Sequence, residues 1–189
     1  YLLGEQERIV GVTGYAVRPK KVRKEKPRVS AFTSADIPRI LALCPDLVLA
    51  FSDLQAEIAA SLIQAGVSVM TYNQRDIAGI FAMIQRLGAT VGQEQRALKL
   101  VGQYKARLAN IRAQTEKRPS LKVYFEEWDD PMISGIKWVS ELIKIAGGTD
   151  IFPDYANQAA AKDRFVTSNQ VILASPDVII ASWCGKKVR

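Results

Sequence analysis

Short apolar runs alternate along the chain with segments whose apolar residues recur every three or four positions. Residues 47–51 form a continuous apolar run, which is typical of a parallel strand covered on both faces. Residues 67–72 predict a second such strand, and the segment 53–65 between them predicts a helix that ends at Gly66. Strand–helix repeats with connections this short predict an α/β fold with parallel sheets.

The same alternation extends towards both ends of the chain. Further strands are predicted at 8–12, 121–125 and 178–182, and further helices at 34–43, 76–87, 138–146 and 168–174. Ser34 or Asp36 is placed to cap the helix at 34–43, and Gly88 is placed to end the helix at 76–87. The segments 18–28, 126–131 and 154–163 have no regular period and are predicted to be irregular.

One amphipathic segment, residues 93–117, is longer than the others. Its apolar positions recur at steps of four and three, and charged residues occupy its other faces. The apolar stripe consists of Ala97, Val101, Tyr104, Leu108 and Ile111. A helix of about 25 residues spans roughly 37 Å, which is long for a crossover helix beside a small sheet. We therefore expect it to join two parts of the molecule.

A helix, the dipeptide Pro-Asp and a buried strand occur in the same order on both sides of this helix, at 34–50 and 169–181. Either the pattern recurs by chance or the chain has two similar α/β lobes. The two-lobe hypothesis divides it into an N-terminal lobe (1–90), an interlobe helix (91–118) and a C-terminal lobe (119–189). Both ends read like the middle of a fold. We therefore expect the first strand of one lobe and the last elements of the other to be missing, together with any signal sequence.

Charge is concentrated in the segment 18–28. The formal net charge is +7, and this segment has seven basic residues and one acidic residue, a net charge of +6. A nucleic-acid surface needs aromatic or base-reading partners, which the segment lacks. It is predicted to be a solvated loop, with attraction of an anionic ligand or surface as the alternative.

Histidine is absent, and the two cysteines, Cys44 and Cys184, are far apart. Catalysis by Ser-His-Asp or Cys-His groups is therefore excluded, and no protein-held zinc site is expected. Cys44 is expected to pack at a helix end. Cys184 is either a small packed residue or a soft ligand.

Aromatic residues follow several of the predicted strands. In open parallel sheets, ligands bind beyond the carboxyl ends of the strands, so these residues are candidate ligand contacts. In the N-terminal half the candidates are Tyr15, Phe51, Ser52 and Tyr72, and in the C-terminal half they are Trp128, Asp130, Trp183 and Cys184. Flat apolar walls with a few polar groups suit a large rigid ligand such as a macrocycle.

The acidic run Glu-Glu-Trp-Asp-Asp at 126–130 leaves several interpretations open. Its carboxylates are suited to acid–base work, to a hard cation or to hydrogen bonds from ligand amides. A solvated acidic loop is the fourth interpretation. Adjacent acids do not fix the spacing that catalysis needs, so the run is weak support for an enzyme.

Several stretches resemble the class III periplasmic solute-binding proteins. They include Arg-Ile-Val-Gly-Val-Thr-Gly-Tyr at 8–15, the segments 36–51 and 56–70, and Ile-Ala-Gly-Gly-Thr-Asp-Ile-Phe at 145–152. The segment 126–148 is similar to members called cobalamin-binding proteins. The resemblance implies two lobes joined by a helix, with siderophore, haem or cobalamin bound in the cleft between them and no reaction catalysed.

The resemblance also assigns individual residues. Aromatic residues at the positions of Tyr15 and Phe51 flank the corrin in cobalamin-binding members, where tryptophan usually occupies the second position. The aromatic residue expected in the C-terminal lobe is replaced near here by Met132, with Trp128 close by. An exposed acid of each lobe docks to the membrane permease. Glu57 matches the first of these acids, and Asn169 replaces the second.

These observations together imply the substrate-binding component of an ABC importer that captures a metal chelate, with cobalamin preferred and siderophore or haem as alternatives. Such a protein is a monomer, needs no cofactor, does not bind nucleic acid, and is periplasmic or an extracytoplasmic lipoprotein. Two hypotheses from other classes stay open. One is a metal-chelate enzyme built on two similar lobes, and the other is a docking module that has lost its ligand.

Overall fold

The computed structural model describes residues 1–183 and 187–188. The helices are α1 (Val22–Glu25), α2 (Ile37–Ala42), α3 (Ala56–Gln64), α4 (Ile77–Thr90), α5 (Glu94–Thr115), α6 (Lys137–Ile145), α7 (Pro153–Ala156) and α8 (Ser168–Ala174). The strands are β1 (Val12–Thr13), β2 (Arg28–Ser30), β3 (Val48–Phe51), β4 (Val69–Tyr72), β5 (Lys122–Asp129), β6 (Met132–Ser134), β7 (Thr149–Asp150) and β8 (Val178–Ala181). The predicted α/β fold with parallel sheets is confirmed.

The chain folds into two compact units. The first consists of Tyr1–Gln74 and Arg86–Glu94, and the second of Arg75–Gln85 and Gln95–Arg189. Helix α4 therefore contributes residues to both units. The lobe boundaries inferred from the sequence stay predictions.

The first unit contains two pairs of parallel strands. Strand β3 pairs with β4 over four residues, from Val48 opposite Val69 to Phe51 opposite Tyr72. Strand β1 pairs with β2, although β1 has only two residues and the predicted strand at 8–12 is wrong over most of its length. Leu62 of α3 is fully buried and packs in the core of this unit. Full burial of a leucine side chain stabilises a fold by about 1.5–3 kcal/mol.

Helix α4 does not end at Gly88, as the sequence predicts. Gly88 is buried inside the helix, which continues to Thr90. The residue with left-handed backbone is Gly92, with φ of +73°, two positions after the last helical residue. A left-handed conformation suits glycine, whereas glycine inside a helix leaves room for close packing.

Helix α5 confirms the long helix predicted at 93–117. It runs without a break over 22 residues. The predicted stripe is its inward face, because Ala97 and Val101 are buried and Tyr104, Leu108 and Ile111 are partly buried. Thr115, in its last turn, donates a hydrogen bond of 3.2 Å to the carbonyl of Ile145 within the second unit.

Strand β5 is the central strand of the second unit. It pairs in parallel with β8 and β7, and its last residues pair antiparallel with β6. The loop predicted at 126–131 is therefore wrong, because most of this segment belongs to a β-hairpin. Side chains alternate between two faces along a strand, so the acidic run is divided between the faces.

Two further predictions for the first unit are wrong. The segment 18–28 is not an irregular loop, because the short helix α1 and the start of β2 lie within it. Buried Val22 attaches α1 to the unit. Cys44 is exposed instead of packed, because it has left-handed backbone (φ of +46°) just after α2 and before Pro45.

The repeated pattern at 34–50 and 169–181 has a shared local structure. A short helix, a residue of positive φ, the dipeptide Pro-Asp and a parallel strand occur in both places. Cys44 and Ser175 are the residues of positive φ, at +46° and +50°. The residue before proline is disfavoured in the right-handed helical region, so each helix stops before its proline.

Candidate functional site

The carboxyl ends of β3 and β4 bring two of the predicted ligand residues together. Phe51 and Tyr72 are the last residues of these parallel strands and stand opposite each other in the register. Both side chains are partly buried. The Tyr72 hydroxyl donates to the sulfur of Met70 at 3.0 Å, and burial raises the pKa of the hydroxyl. The first unit thus has an aromatic edge where ligands of parallel sheets bind.

Ser52 is predicted to contact the ligand, but the structure gives its side chain a local role. The residue is 2% exposed and has a φ of +61°. Its backbone N–H donates to the carbonyl of Tyr72, and its hydroxyl accepts from the N–H of Leu54. A serine held in this rare conformation shapes the turn after β3.

Gln55 connects the turn after β3 to the loop after β2. Its side-chain oxygen accepts from the N–H of Phe51, and its side-chain nitrogen donates to the carbonyl of Phe32, both at 2.8 Å. Phe32 is an exposed aromatic residue that the sequence analysis missed, because no strand was predicted before it. The pairing of β2 with β1 shows that Phe32 also follows a strand of a parallel pair.

Tyr15 lies beyond the end of β1, as expected, and is 48% exposed. Its backbone N–H lies 3.4 Å from the hydroxyl oxygen of Thr13, which accepts the hydrogen bond. In the same loop, the carbonyl of Gly14 accepts from the guanidinium of Arg23 in α1. Contacts on both sides thus fix the backbone of the turn that carries the exposed ring.

In the second unit, the hairpin of β5 and β6 carries three predicted ligand residues. Trp128 is partly buried, and its indole N–H donates to the carbonyl of Asp130 at 2.9 Å. Asp130 is exposed at the turn. Met132 packs against the core cluster that contains Tyr124 and Phe152, so part of its side chain serves the core.

Trp183 follows β8 and is oriented by an acid of the central strand. Its indole N–H donates to Oε1 of Glu126 at 3.0 Å, and the Tyr124 hydroxyl lies 3.3 Å from Oε2 of the same carboxylate. Burial, with the Glu126 charge as a smaller cause, raises the pKa of Tyr124 well above its usual value. Cys184, also predicted here, lies outside the described residues.

Glu127, the next acid along β5, has a structural partner. The guanidinium of Arg164 donates to both of its carboxylate oxygens, at 2.6 and 3.2 Å, and also to the carbonyl of Ser134 in β6. The Arg164 side chain is 2% exposed. Phe165, which comes next, is an exposed aromatic residue that the sequence analysis missed.

Two acids of the run have partners within the protein, which none of the four interpretations predicted. Glu126 and Glu127 accept hydrogen bonds from protein donors, and Asp130 is exposed at a turn. Within residues 1–183 and 187–188, no three acid, cysteine or histidine side chains are grouped closely enough to hold a metal ion. Over the same residues, no helix combines the length and apolar character that a membrane span requires.

The family model of the periplasmic binding proteins matches the chain over residues 1–189. The chain belongs to the periplasmic binding protein family. The vitamin B12-binding protein of Vibrio campbellii is 25% identical over 185 residues, which are 96% of the chain and 66% of that protein. An ABC transporter substrate-binding lipoprotein of Bacillus subtilis is 25% identical over 192 residues, 96% of the chain and 59% of the lipoprotein. The chain thus spans about two thirds of the length of the curated relatives it matches.

A solved periplasmic binding protein has the same fold. The periplasmic haem-binding protein of Pseudomonas aeruginosa superposes with a TM-score of 0.81 at 20% sequence identity. The match covers 98% of this chain and 68% of that one. At this identity the superposition establishes the fold and leaves the ligand open.

The two positions at which the resemblance places permease contacts are both accessible. Glu57 lies in the first turn of α3, and its side chain is exposed. Asn169 lies in the first turn of α8 and is exposed as well. Neither side chain is packed in the core, and of the two only Glu57 is charged.

Proposed function

We propose that this periplasmic binding protein is the substrate-binding component of an ABC importer and that it captures a metal chelate, with cobalamin as the preferred ligand. Haem and iron-siderophore are the alternatives. The observation that carries the proposal is the set of aromatic side chains beyond the strand ends of each unit. Phe51 and Tyr72 form a register pair in the first unit, and Glu126 orients Trp183 in the second.

The chemistry of these edges supports a large flat ligand. Aromatic faces contribute a large apolar contact area and favour stacking against a planar ring system. Only a few polar groups of fixed orientation lie beside these aromatic side chains. A mostly apolar surface with a few placed polar groups is typical of binding pockets for cofactor-sized molecules. The relatives named vitamin B12-binding proteins support cobalamin, and the haem-binding structural neighbour supports the alternative.

The proposal also covers compartment and mechanism. The protein acts in the periplasm or as a lipoprotein on the outer face of the membrane, as the similarity to the Bacillus lipoprotein suggests. It binds and releases its ligand without a chemical reaction. The described carboxylates of the acidic run support this, because Glu126 and Glu127 accept hydrogen bonds that orient or fix neighbouring side chains.

Titration with cyanocobalamin tests the ligand. We expect saturable quenching of tryptophan fluorescence in the whole protein encoded by the gene, because Trp128 and Trp183 lie at the proposed contact edge. Calorimetry confirms that the signal reports binding. Haemin and a ferric siderophore are titrated in parallel, each to about 100 μM, which detects affinities weaker than those of typical importers.

The possible outcomes of these titrations test the identity of the ligand separately from the capture of a metal chelate. Binding of haemin or siderophore without cyanocobalamin would replace the preferred ligand and keep the role in import. If none of the three chelates binds, the capture of a metal chelate by this protein is wrong.

Glu57→Ala tests the docking of the importer. We expect the variant to bind its ligand with unchanged affinity and to reduce uptake into cells several-fold, because an exposed carboxylate contributes about 1–3 kcal/mol to a charge-assisted contact with a permease arginine. The measurement is uptake of labelled ligand in cells that carry the whole importer. Glu116→Ala, which removes an exposed acid from α5, is the matched control. Equal uptake by the Glu57 variant and the wild type would remove Glu57 from the interface.

A further inference from the structure

The exposed face of α1 and its flanking residues is strongly basic. Val22, the helical residue that faces the core, is 2% exposed. Lys24, two positions after Val22 in the helix, points away from the core, and Lys20, in the turn before α1, is exposed as well. We call the exposed basic residues of this segment the basic face. It consists of Arg18, Lys20, Lys21, Arg23, Lys24 and Arg28.

Few of these charges are neutralised within the protein. Glu25, the acid of the segment, accepts from the Tyr1 hydroxyl at 2.8 Å and pairs with Lys21 at 3.3 Å. Arg23 donates to the carbonyl of Gly14, which has no formal charge. Arg18, Lys20 and Lys24 form no ion pair with any described residue. These three cations therefore face solvent without a counter-charge.

The arrangement suits an extended anionic surface better than a single small anion. The six cations of the basic face are all exposed, so no enclosed cage holds one anion among them. Several exposed cations interact additively with a plane of phosphates, because each approaches a different headgroup. The apolar side chain of Val17, next to Arg18, is 48% exposed and would reach the interfacial layer of a bilayer.

A nucleic acid fits these observations less well. Single-stranded nucleic acids bind where aromatic side chains stack on bases, and a duplex needs an element that enters a groove. Helix α1 has only four residues, and none of the residues 18–28 is aromatic. The exposed ring of Tyr15 follows Gly14, whose carbonyl Arg23 contacts, but it does not form the series of rings on which successive bases stack. The chain also belongs to a family of periplasmic proteins.

We propose that the basic face docks the first unit onto an anionic phospholipid surface. The charge and the exposure of the segment carry this inference, and it does not depend on which ligand the protein binds. Docking would hold the first unit close to the membrane that contains the importer. Because the contact is electrostatic, it weakens as salt is raised.

Vesicle sedimentation with the purified chain tests the proposal. The wild type should bind vesicles that contain about 30 mol% phosphatidylglycerol in phosphatidylcholine and should not bind vesicles of phosphatidylcholine alone. The triple variant Arg18→Gln, Lys20→Gln and Lys24→Gln should bind on the order of 100-fold more weakly, since each basic residue contributes about fivefold. Raising salt from about 0.1 to 0.5 M should release the wild type.

A matched control separates this face from net charge. The variant Lys99→Gln, Arg107→Gln and Lys117→Gln removes three exposed cations from the α5 region and should bind within about threefold of the wild type. Circular dichroism reports whether both variants are folded. If the first triple variant does not fold, the single variants Lys20→Gln and Lys24→Gln, each expected to lose about fivefold, decide the question.

Three results would overturn the proposal. The first is equal binding to anionic and neutral vesicles, and the second is equal loss of binding in the two triple variants. The third is that a single-stranded oligonucleotide competes the protein off the vesicles at a concentration of phosphate equal to that of the lipid, which would make the basic face a general polyanion surface. Binding that depends on phosphatidylglycerol and on the basic face, and that the oligonucleotide does not compete, would support it.

Discussion

Replacement of Glu127 by alanine is expected to lower the free energy of unfolding by about 3 kcal/mol. The Arg164 side chain is 2% exposed and donates to both oxygens of this carboxylate. Without Glu127, a positive charge stays in a buried position with no anion beside it. The Glu127 side chain is 36% exposed, but the Arg164 charge that would remain is buried, and a buried charge without a partner costs more than the pair itself contributes. Urea denaturation followed by circular dichroism measures the change.

Two further variants serve as controls for that measurement. Glu116→Ala removes an exposed acid from the same unit and should change stability by no more than about 0.5 kcal/mol. Adding Arg164→Met to Glu127→Ala should recover more than half of the loss, because the unpaired charge is then gone. The recovery is incomplete because the carbonyl of Ser134 loses its donor. A single variant as stable as the wild type would show that solvent screens the pair.

Replacement of Trp183 by alanine is expected to weaken chelate binding by about tenfold to a hundredfold. The indole is the large aromatic surface after β8, and its N–H is held by Glu126 at 3.0 Å. Loss of the ring removes stacking area from the proposed edge. Isothermal titration calorimetry with the chelate that binds in the fluorescence experiment measures the affinity, since the substitution also removes part of the fluorescence signal.

Substitutions at Glu126 test whether the orientation of the Trp183 ring contributes to affinity in addition to its contact area. Glu126→Gln keeps an oxygen that accepts from the indole N–H, so its affinity should stay within a few-fold of the wild type. Glu126→Leu removes the acceptor and should lose affinity while the tryptophan is still present. If Trp183→Ala binds as tightly as the wild type, the edge beyond β8 does not contact the ligand.

Local patterns in the sequence predicted the longer helices and strands, and missed the short ones. The apolar stripe from Ala97 to Ile111 predicted α5, because a single periodic face is visible without any tertiary contact. The apolar runs that end at Phe51 and Tyr72 likewise predicted neighbouring parallel strands. The register that places the two aromatic residues opposite each other came from the structure, because the pattern predicts strands and not their pairing.

The errors arose where the structure depends on residues far apart in the chain. The acidic run was predicted as a loop because four of its five residues are charged, yet Arg164 fixes Glu127 in a strand from 37 positions away. Phe32 was missed because β2 has only three residues and forms by pairing with β1. The helix in the basic segment was missed because a single buried valine, Val22, holds it to the unit.

The side-chain amide of Gln55 links the turn after β3 to the loop after β2. One end of the amide holds the backbone of Phe51 and the other end holds the carbonyl of Phe32, so neither loop can be displaced without releasing the other. Engineering for a new ligand at this edge would therefore have to treat both loops as one module. A library of variants at Phe51 and Phe32 should keep Gln55 unchanged, because its side chain holds the backbone of both residues.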